Sequence, residues 1–248
     1  MLQPLAPPSA CQLQNTHIMN NWTSIIQDWL FPPTCILCGD AGDKGRDLCL
    51  ACAQSLPYNL IACPQCGLPL QIETETPCGN CLKHPPTFDR SIAIFRFEEP
   101  VRHLIHALKF HARYPCARLL GDMLADKLIK LEEKPDIIIP VPLHPKRYRE
   151  RGYNQALEIA RILSKRLDLP LDYQHCIRTH ATQAQTELNA LQRRRNMRKA
   201  FAIVKPITYQ HVAILDDVVT TGATVNELAK VLRKSGVKRI DVWACARA

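Results

Sequence analysis

Glycine is scarce in this chain, at 9 of 248 residues. These glycines form neither a Gly-x-Gly-x-x-Gly motif nor a Walker A motif, which excludes the nucleotide-binding folds that depend on them. Long apolar runs are also missing, since no stretch approaches the roughly 18 residues that a transmembrane helix needs. No lysine or arginine precedes Lys44, so a secretory signal is not predicted either. We therefore expect a cytoplasmic protein without a transmembrane segment.

Positive charge is concentrated in the second part of the chain. The net charge is +9, from 32 basic and 23 acidic residues, and hydrophobic residues make up 46%, enough for a sizeable core. Residues 31–90 carry 4 basic against 6 acidic side chains, whereas residues 91–248 carry 28 against 16, a balance of +12. A polyanionic ligand or partner is therefore expected on residues 91–248.

Eight of the 12 cysteines form four Cys-x-x-Cys pairs, namely Cys35/Cys38, Cys49/Cys52, Cys63/Cys66 and Cys78/Cys81. Two such pairs supply the four thiolates of a tetrahedral zinc site. Gly39, Gly67 and Gly79 follow cysteines directly, where knuckle turns favour a residue without Cβ. Disulfides are the competing interpretation, and a reducing cytosol disfavours them. We predict one or two structural zinc ions (Zn²⁺), with sequential pairing favoured and a cross-braced arrangement or an iron–sulfur cluster as alternatives.

Three segments are predicted along the chain. Residues 1–18 lack periodicity and are expected to be disordered or to precede the native start, for which Met19 is an alternative. Residues 19–87 comprise an amphipathic helix over 20–30 and the double zinc-binding module. Residues 88–248 alternate strand and helix patterns, which predicts an α/β domain with a mostly parallel sheet flanked by helices. Ligands of such sheets bind at the carboxyl ends of the strands.

Residues 212–224 contain the most informative motif of the chain. An apolar run over 212–215 predicts a buried strand that ends at Asp216 and Asp217. A small-residue turn over 220–223 leads into a helix for which Thr224 and Glu227 predict a capping box. Free amides at such a helix N-terminus bind anions, and the two carboxylates can accept hydrogen bonds from sugar hydroxyls or assist Mg²⁺. The motif predicts a site for a phosphorylated sugar, with an ordinary capped helix after a buried strand as the alternative.

Two basic segments lie in the same domain. The strand predicted over 137–141 is followed by a loop with four basic side chains, Lys146, Arg147, Arg149 and Arg151. A later predicted helix carries three consecutive arginines, Arg193, Arg194 and Arg195. Because arginine binds phosphate bidentately, both segments are candidates for pyrophosphate or DNA-phosphate contacts, with a solvated basic surface as the alternative. Tyr148 and Tyr153 lie among the arginines of the loop and are candidates to stack on nucleobases.

The central motif resembles that of a known enzyme class. Residues 215–224, Leu-Asp-Asp-Val-Val-Thr-Thr-Gly-Ala-Thr, resemble the 5-phosphoribosyl-1-pyrophosphate (PRPP) signature of type I phosphoribosyltransferases. More narrowly, residues 149–156, the segment 185–196 and this motif resemble the ComF family, which also includes GntX. The Cys-rich module ahead of them is typical of that family too. The resemblance covers about residues 30–248.

The resemblance implies a type I phosphoribosyltransferase-like fold preceded by a zinc-ribbon-like module. PRPP would then bind with Mg²⁺ to Asp216, Asp217, Val218, Val219, Thr220, Thr221, Gly222, Ala223 and Thr224. Asp216 and Asp217 are the candidate catalytic residues, the turn after the first core strand holds pyrophosphate, and residues 178–199 take the place of a mobile hood loop. Thr220 replaces the third acidic residue that serves as general base in purine-type enzymes, although the orotate enzymes also lack it.

Two functions follow from the resemblance. The ComF family implies handling of imported single-stranded DNA during natural transformation, with PRPP bound and with a DNA-uptake helicase as a partner. The alternative is an active phosphoribosyltransferase that transfers phosphoribosyl to an unidentified acceptor and releases pyrophosphate. We favour the DNA-handling role.

Overall fold

The structure is a computed structural model, and it describes residues 32–179 and 200–248. The segment 1–18, the helix predicted over 20–30 and the three arginines at 193–195 lie outside these ranges. The chain divides into two compact units, one that ends at Gln54 and one that extends from Ser55 to Ala248. Among the described residues, no helix is both long enough and apolar enough to cross a membrane.

The first unit is built around its four cysteines. Thr34 and Ala41 form an antiparallel bridge, and the amide of Gly39 donates a hydrogen bond to the carbonyl of Cys35 at 2.9 Å. Helix α1 (Leu50–Gln54) has no buried residue, and over residues 32–54 only Cys35 and Leu48 are buried. So little apolar burial leaves metal ligation as the main expected source of stability in this segment.

The second cysteine cluster belongs to the second unit. Its last pair of cysteines is joined by the start of helix α2 (Gly79–Lys83). The side-chain amide of Asn59 donates to the carbonyl of Gly67 at 2.9 Å, and the backbone amide of Asn59 donates to the carbonyl of Ile94 at 2.8 Å. We still propose that the α/β domain starts near Phe88, because the first strand, β1 (Arg90–Arg96), begins just after it.

A four-stranded parallel sheet forms the centre of the second unit. Its strands are β1, β2 (Ile137–Pro140), β5 (His211–Val219) and β6 (Arg239–Arg247), in the order β1-β6-β5-β2. Two short strands, β3 (Cys176–Arg178) and β4 (Phe201–Ile203), form a separate antiparallel pair. The parallel sheet confirms the predicted fold class. Residues 212–215 of β5 are all buried, as expected for a parallel strand that is covered on both faces.

The helices of this unit are α3 (Val101–His111), α4 (Tyr114–Leu128), α5 (Pro145–Arg151), α6 (Gln155–Leu167) and α7 (Ala223–Lys234). Helices α4 and α6 pack closely, because a Cβ added to Gly121 of α4 would lie 2.9 Å from the Cβ of Ile162. Arg166 of α6 also donates hydrogen bonds to Asp122 and Asp126 of α4, at 2.7 and 3.0 Å. The two helices therefore form one layer.

Helix α7 belongs to the apolar core that holds β5. Leu228 and Leu232 of α7 are fully buried in one cluster with Ile214 of β5 and Val242 of β6. Burial of each such side chain stabilises the fold by about 1.5–3 kcal/mol. The carboxyl end of β5 and the start of α7 are therefore held against a packed core.

Candidate functional site

The eight paired cysteines form two separate four-thiol clusters. Their sulfur atoms lie within 4.8 Å of one another in each cluster, one formed by Cys35, Cys38, Cys49 and Cys52 and the other by Cys63, Cys66, Cys78 and Cys81. The Cys38 and Cys49 sulfurs are 3.7 Å apart, and those of Cys66 and Cys78 are 3.8 Å apart. A tetrahedral zinc ion with Zn–S bonds of about 2.3 Å separates its sulfurs by about 3.8 Å, so the clusters fit zinc. Sequential pairing is confirmed, and the cross-braced and disulfide alternatives are wrong.

The glycines that follow the cysteines serve two different purposes. Gly39 and Gly67 have φ values of +84° and +67°, the left-handed backbone that favours glycine in a knuckle turn. Gly79 instead begins α2 and has no positive φ, so the prediction of a third knuckle glycine is wrong. The reason is local: α2 continues directly from Cys78, so no reversed turn is needed there.

A cavity of about 760 Å³ opens at the carboxyl end of β5. Its walls come from β5, from α3 and α5, and from the start of α7. The cavity is lined by polar and charged side chains of both signs: Arg102, His106, Lys109, Arg147, Glu150, Arg151, Gln155, Arg178, Asp216, Asp217, Thr220, Thr221 and Thr224. Carboxylates at one place and several cations around them are suited to a ligand that combines hydroxyl groups with phosphates.

Strand β5 extends further than the sequence predicts. It continues through the acidic pair to Val219, because residues 216–219 pair with β6, with Asp216 opposite Ala244 and Val219 opposite Arg247. Both carboxylates thus stand on a paired strand and not in a turn. Asp217 is buried and Asp216 is half-buried, and both line the cavity.

The pKa values of the two aspartates shift in opposite directions. Burial raises the pKa of Asp216 well above its usual range, and the neighbouring carboxylate of Asp217 raises it further. Burial acts the same way on Asp217. However, three contacts outweigh burial and lower the pKa of Asp217. They are the charge of Lys109, whose Nζ lies 3.5 Å from Oδ2, a hydrogen bond with Asp216, and a hydrogen bond from the amide of Val218. Asp217 is therefore the more readily ionised member, and Asp216 the more readily protonated one.

Residues 220–224, here called the phosphate loop, comprise the turn after β5 and the first two residues of α7. Gly222 takes a left-handed conformation (φ +73°) and is the N-cap of α7, which begins at Ala223. The capping box predicted for Thr224 and Glu227 is wrong, because Thr224 already lies inside the helix and the N-cap residue, Gly222, has no side chain. The hydroxyl of Thr221 instead accepts a hydrogen bond from the amide of Ala223 at 3.4 Å. The N-terminus of α7 borders the cavity, where its dipole favours an anion.

The basic loop predicted after β2 is a short helix, α5. His144 caps it by accepting a hydrogen bond from the amide of Lys146 at 3.2 Å, Pro145 starts it, and Gly152 ends it with φ +83°. Helical spacing then brings Arg147 and Arg151 to the cavity. Lys146 and Arg149 are exposed and are not among the residues that line it. One basic segment therefore presents two cationic faces.

The two tyrosines of this segment have different environments. Tyr153 is buried, its hydroxyl donates a hydrogen bond to the carbonyl of Leu108, and its ring lies 5.3 Å from that of Tyr114. Tyr153 is thus a core residue, and the prediction that it stacks on nucleobases is wrong. Tyr148 is 47% exposed and is still a candidate.

Two cavity residues have no individual role in the sequence prediction: Lys109 has none, and Arg178 is only the first residue of the segment compared with a mobile hood loop. Lys109 lies in the last turn of α3 and contacts Asp217 only because the fold brings α3 and β5 together. Arg178, at the end of β3, is buried. Desolvation, together with the nearby charge of Arg147, lowers its pKa to about 10. A buried arginine beside a cavity is an informative feature, but burial is visible only in the folded chain.

Comparisons with known proteins agree with this geometry. Residues 26–82 match the family model of a double zinc ribbon domain, and residues 115–247 match that of a phosphoribosyl transferase domain. DNA utilization protein YhgH of Escherichia coli K12 is 36% identical over 222 residues, which cover 87% of this chain and 97% of that protein. Competence protein F of Haemophilus influenzae is 39% identical over 227 residues, 86% of this chain and 96% of that protein.

A solved purine phosphoribosyltransferase from Pyrococcus horikoshii is similar at 23% identity and a TM-score of 0.34, over 53% of this chain and 82% of that one. The family matches and the parallel sheet define a phosphoribosyltransferase-fold protein with an N-terminal double zinc ribbon. The chain belongs to the ComF family of competence and DNA utilization proteins.

Proposed function

We propose that this protein binds PRPP with Mg²⁺ in the cavity at the end of β5 and handles single-stranded DNA during natural transformation. One observation supports PRPP binding above all others. The acidic pair, the phosphate loop and three cationic side chains, Lys109, Arg147 and Arg151, line a single cavity. PRPP carries ribose hydroxyls between a 5′-phosphate and a pyrophosphate, and the cavity offers a suitable partner for each.

The assignment of ligand groups follows from charge and position. The 5′-phosphate would contact the amides and hydroxyls of the phosphate loop at the start of α7. The ribose hydroxyls would donate to Asp216 and Asp217, and the pyrophosphate would contact Arg147 and Arg151. Mg²⁺ suits the oxygen-rich set formed by the carboxylates and the ligand, and when bound it would neutralise pyrophosphate charge.

The DNA-handling role is supported by the family and by the distribution of charge. Relatives over most of the chain are named as competence or DNA utilization proteins. The exposed face of α5, with Lys146, Arg149 and Tyr148, combines phosphate-binding cations with an aromatic ring. Arg193, Arg194 and Arg195 are further candidates, and a DNA-uptake helicase is the expected protein partner.

Catalytic phosphoribosyl transfer is the second candidate. The cavity volume of about 760 Å³ lies in the upper part of the range for small-ligand sites, which leaves room for an acceptor beside PRPP. Arg147 and Arg151 would then stabilise the departing pyrophosphate. Because Thr220 stands where purine-type enzymes carry an acidic base, a nucleophile that needs deprotonation would have to find its base elsewhere.

Calorimetric titration of the purified protein with PRPP tests the binding proposal. We expect saturable binding with one PRPP per chain in the presence of Mg²⁺ and much weaker binding in EDTA. An assay for released pyrophosphate in the same samples separates binding from transfer. If PRPP gives no saturable signal with Mg²⁺ present, the cavity does not bind PRPP and the proposal fails.

A further inference from the structure

Arg247, at the end of β6, connects the second cysteine cluster to the phosphate loop. The residue is buried, with 7% of its surface exposed. Its Nε donates a hydrogen bond to the carbonyl of Cys66 at 3.1 Å. Its Nη1 donates to the carbonyl of Val219 at 3.0 Å and to that of Thr220. A single guanidinium therefore holds the backbone of a zinc-ligand residue and the backbone from which the phosphate loop starts.

The zinc side of this connection has little freedom to move. Cys66 is buried, and Gly67 beside it packs so closely on β1 that an added Cβ would lie 3.0 Å from the carbonyl oxygen of Ser91. Asn59 holds the carbonyl of Gly67 at 2.9 Å. The Cys66 carbonyl thus belongs to a knuckle turn that packs on β1 and whose two sulfurs, those of Cys63 and Cys66, are part of the second four-thiol cluster.

The loop side has less support. A second cavity, of about 280 Å³, lies between the cysteine cluster and the loop, with Cys66 and Cys81 lining it together with Thr221, Gly222 and Ala223. These same three loop residues also line the larger cavity. With open space on both sides, the loop is held mainly at its ends. At the first end Arg247 donates to the Val219 and Thr220 carbonyls and the amide of Ala248 donates to the carbonyl of Val219 at 3.0 Å, and at the last end the loop continues into α7. The planar guanidinium holds its donors in a rigid fork, whereas the three donors of a lysine rotate at the end of a flexible chain and fix the carbonyls less firmly.

We propose that Arg247 is a positioning residue that makes the affinity of the phosphate loop for PRPP depend on zinc in the Cys63–Cys66–Cys78–Cys81 cluster. The inference rests on the proposed PRPP binding. Zinc holds the knuckle, the Cys66 carbonyl holds Arg247, and Arg247 keeps the loop amides directed at the ligand. Because linkage is reciprocal, PRPP must in turn raise the zinc affinity of this cluster. The Cys35 cluster, in the other unit, is the internal control.

The first test needs no PRPP and uses hydrogen exchange of the full zinc-loaded chain. In Arg247→Met, amides of residues 219–224 should exchange at least fivefold faster than in the unchanged protein. Arg247→Lys should restore only part of the protection. The matched control is Arg90→Met, which removes an arginine that joins β1 to Asp241 of β6 at 2.7 Å, at the other end of the strands. Unchanged exchange over 219–224 in Arg247→Met, or an equal increase in Arg90→Met, overturns the proposal.

The second test measures zinc affinity by equilibrium competition with a chromophoric chelator. Saturating PRPP with Mg²⁺ should raise the affinity of one of two zinc equivalents by about tenfold, within the usual range of coupling. The effect should persist in Cys35→Ser, which keeps only the second cluster, and should vanish in Arg247→Met. The coupling would be contradicted if PRPP raised the affinity for neither zinc ion, or raised both affinities equally. It would also be contradicted if PRPP still raised one zinc affinity in Arg247→Met. If calorimetry detects no PRPP binding, the proposed function fails, and the exchange experiment alone decides whether Arg247 holds the loop.

Discussion

Lys109 Nζ lies 3.5 Å from Asp217 Oδ2, and this ion pair joins the last turn of α3 to the acidic end of β5. Asp217 is buried, whereas a third of the Lys109 side chain is exposed. The lysine lowers the pKa of Asp217, whereas burial and the neighbouring carboxylate of Asp217 raise the pKa of Asp216. The two adjacent aspartates should therefore respond in opposite ways to substitution.

The first prediction concerns stability and its pH dependence. Asp217→Asn leaves Lys109 without its partner and should lower the free energy of unfolding by about 1–3 kcal/mol at pH 7. Because the pKa of Asp217 is lowered by folding, its contribution is present above the unfolded value near 4 and is lost in acid. Asp216→Asn removes a carboxyl whose pKa is raised by folding, so at pH 7 it should raise the free energy of unfolding.

Urea unfolding of both variants from pH 3 to pH 8 measures this asymmetry. The loss of unfolding free energy in Asp217→Asn should become smaller toward pH 3. The gain in unfolding free energy in Asp216→Asn should become smaller over the same range. Lys109→Met serves as the matched control, because it breaks the same ion pair from the other side. Equal loss of stability in both asparagine variants at pH 7 would show that the aspartates share charge evenly.

The second prediction concerns PRPP affinity. Asp217→Ala removes a charge-assisted acceptor for ribose and should weaken binding by about 1.5–3 kcal/mol. Gly222→Val places a β-branched residue at φ +73°, where strain costs about 1–3 kcal/mol, and it also obstructs the phosphate loop. Calorimetry with Mg²⁺ and PRPP tests both variants, and circular dichroism checks their folding. Unaltered affinity in both would place the ligand elsewhere.

The third prediction is a zinc content of two ions per chain. Elemental analysis of fully reduced protein, purified without added metal, should find two zinc ions per chain. A content below about one zinc ion per chain would contradict the zinc assignment. Cys35→Ser should unfold only the first unit. Cys63→Ser should also disturb the edge of the sheet, because its cluster contacts β1 through Asn59 and β6 through Arg247. Hydrogen exchange over β1 and β6 distinguishes the two variants.

The sequence predicts those features that depend on residues close together in the chain. Four Cys-x-x-Cys pairs are sufficient to predict two four-thiol clusters, and an apolar run followed by Asp216 and Asp217 is sufficient to predict a buried strand with two carboxylates near its carboxyl end. The alternation of strands and helices likewise predicts the parallel sheet. Each of these rests on local spacing, which backbone geometry converts directly into structure.

Local sequence patterns do not predict features that depend on tertiary contacts. The extension of β5 past Asp217 requires β6 as a pairing partner, and the burial of Tyr153 requires the carbonyl of Leu108. The roles of Lys109 and Arg247 arise only when distant segments meet. The helical form of α5 was predictable in part, since Pro145 and Gly152 are typical start and stop residues, but the dense charge favoured a loop interpretation.

The last prediction separates the two faces of α5. Arg147 and Arg151 line the cavity at the end of β5, whereas Lys146 and Arg149 are exposed outside its lining. Arg147→Met with Arg151→Met should weaken PRPP binding at least tenfold. Lys146→Met with Arg149→Met, which removes the same charge from the same helix, should change PRPP affinity less than twofold. Single-stranded DNA binding should show the reverse sensitivity, because only the outer pair is placed to contact a strand too large for the cavity.

Salt dependence provides the decisive measurement for DNA. Binding of a labelled oligonucleotide, followed by fluorescence anisotropy between 50 and 300 mM salt, should lose about 0.7 units of slope in log K against log salt for each phosphate contact removed. The outer double variant should therefore lose about 1.4 units, and Tyr148→Ala should lower affinity without changing the slope, since stacking releases no counterions. If both double variants reduced DNA affinity equally, α5 would contribute to DNA binding only through its net charge. Salt-independent binding would mean that the strand is not held by phosphate contacts.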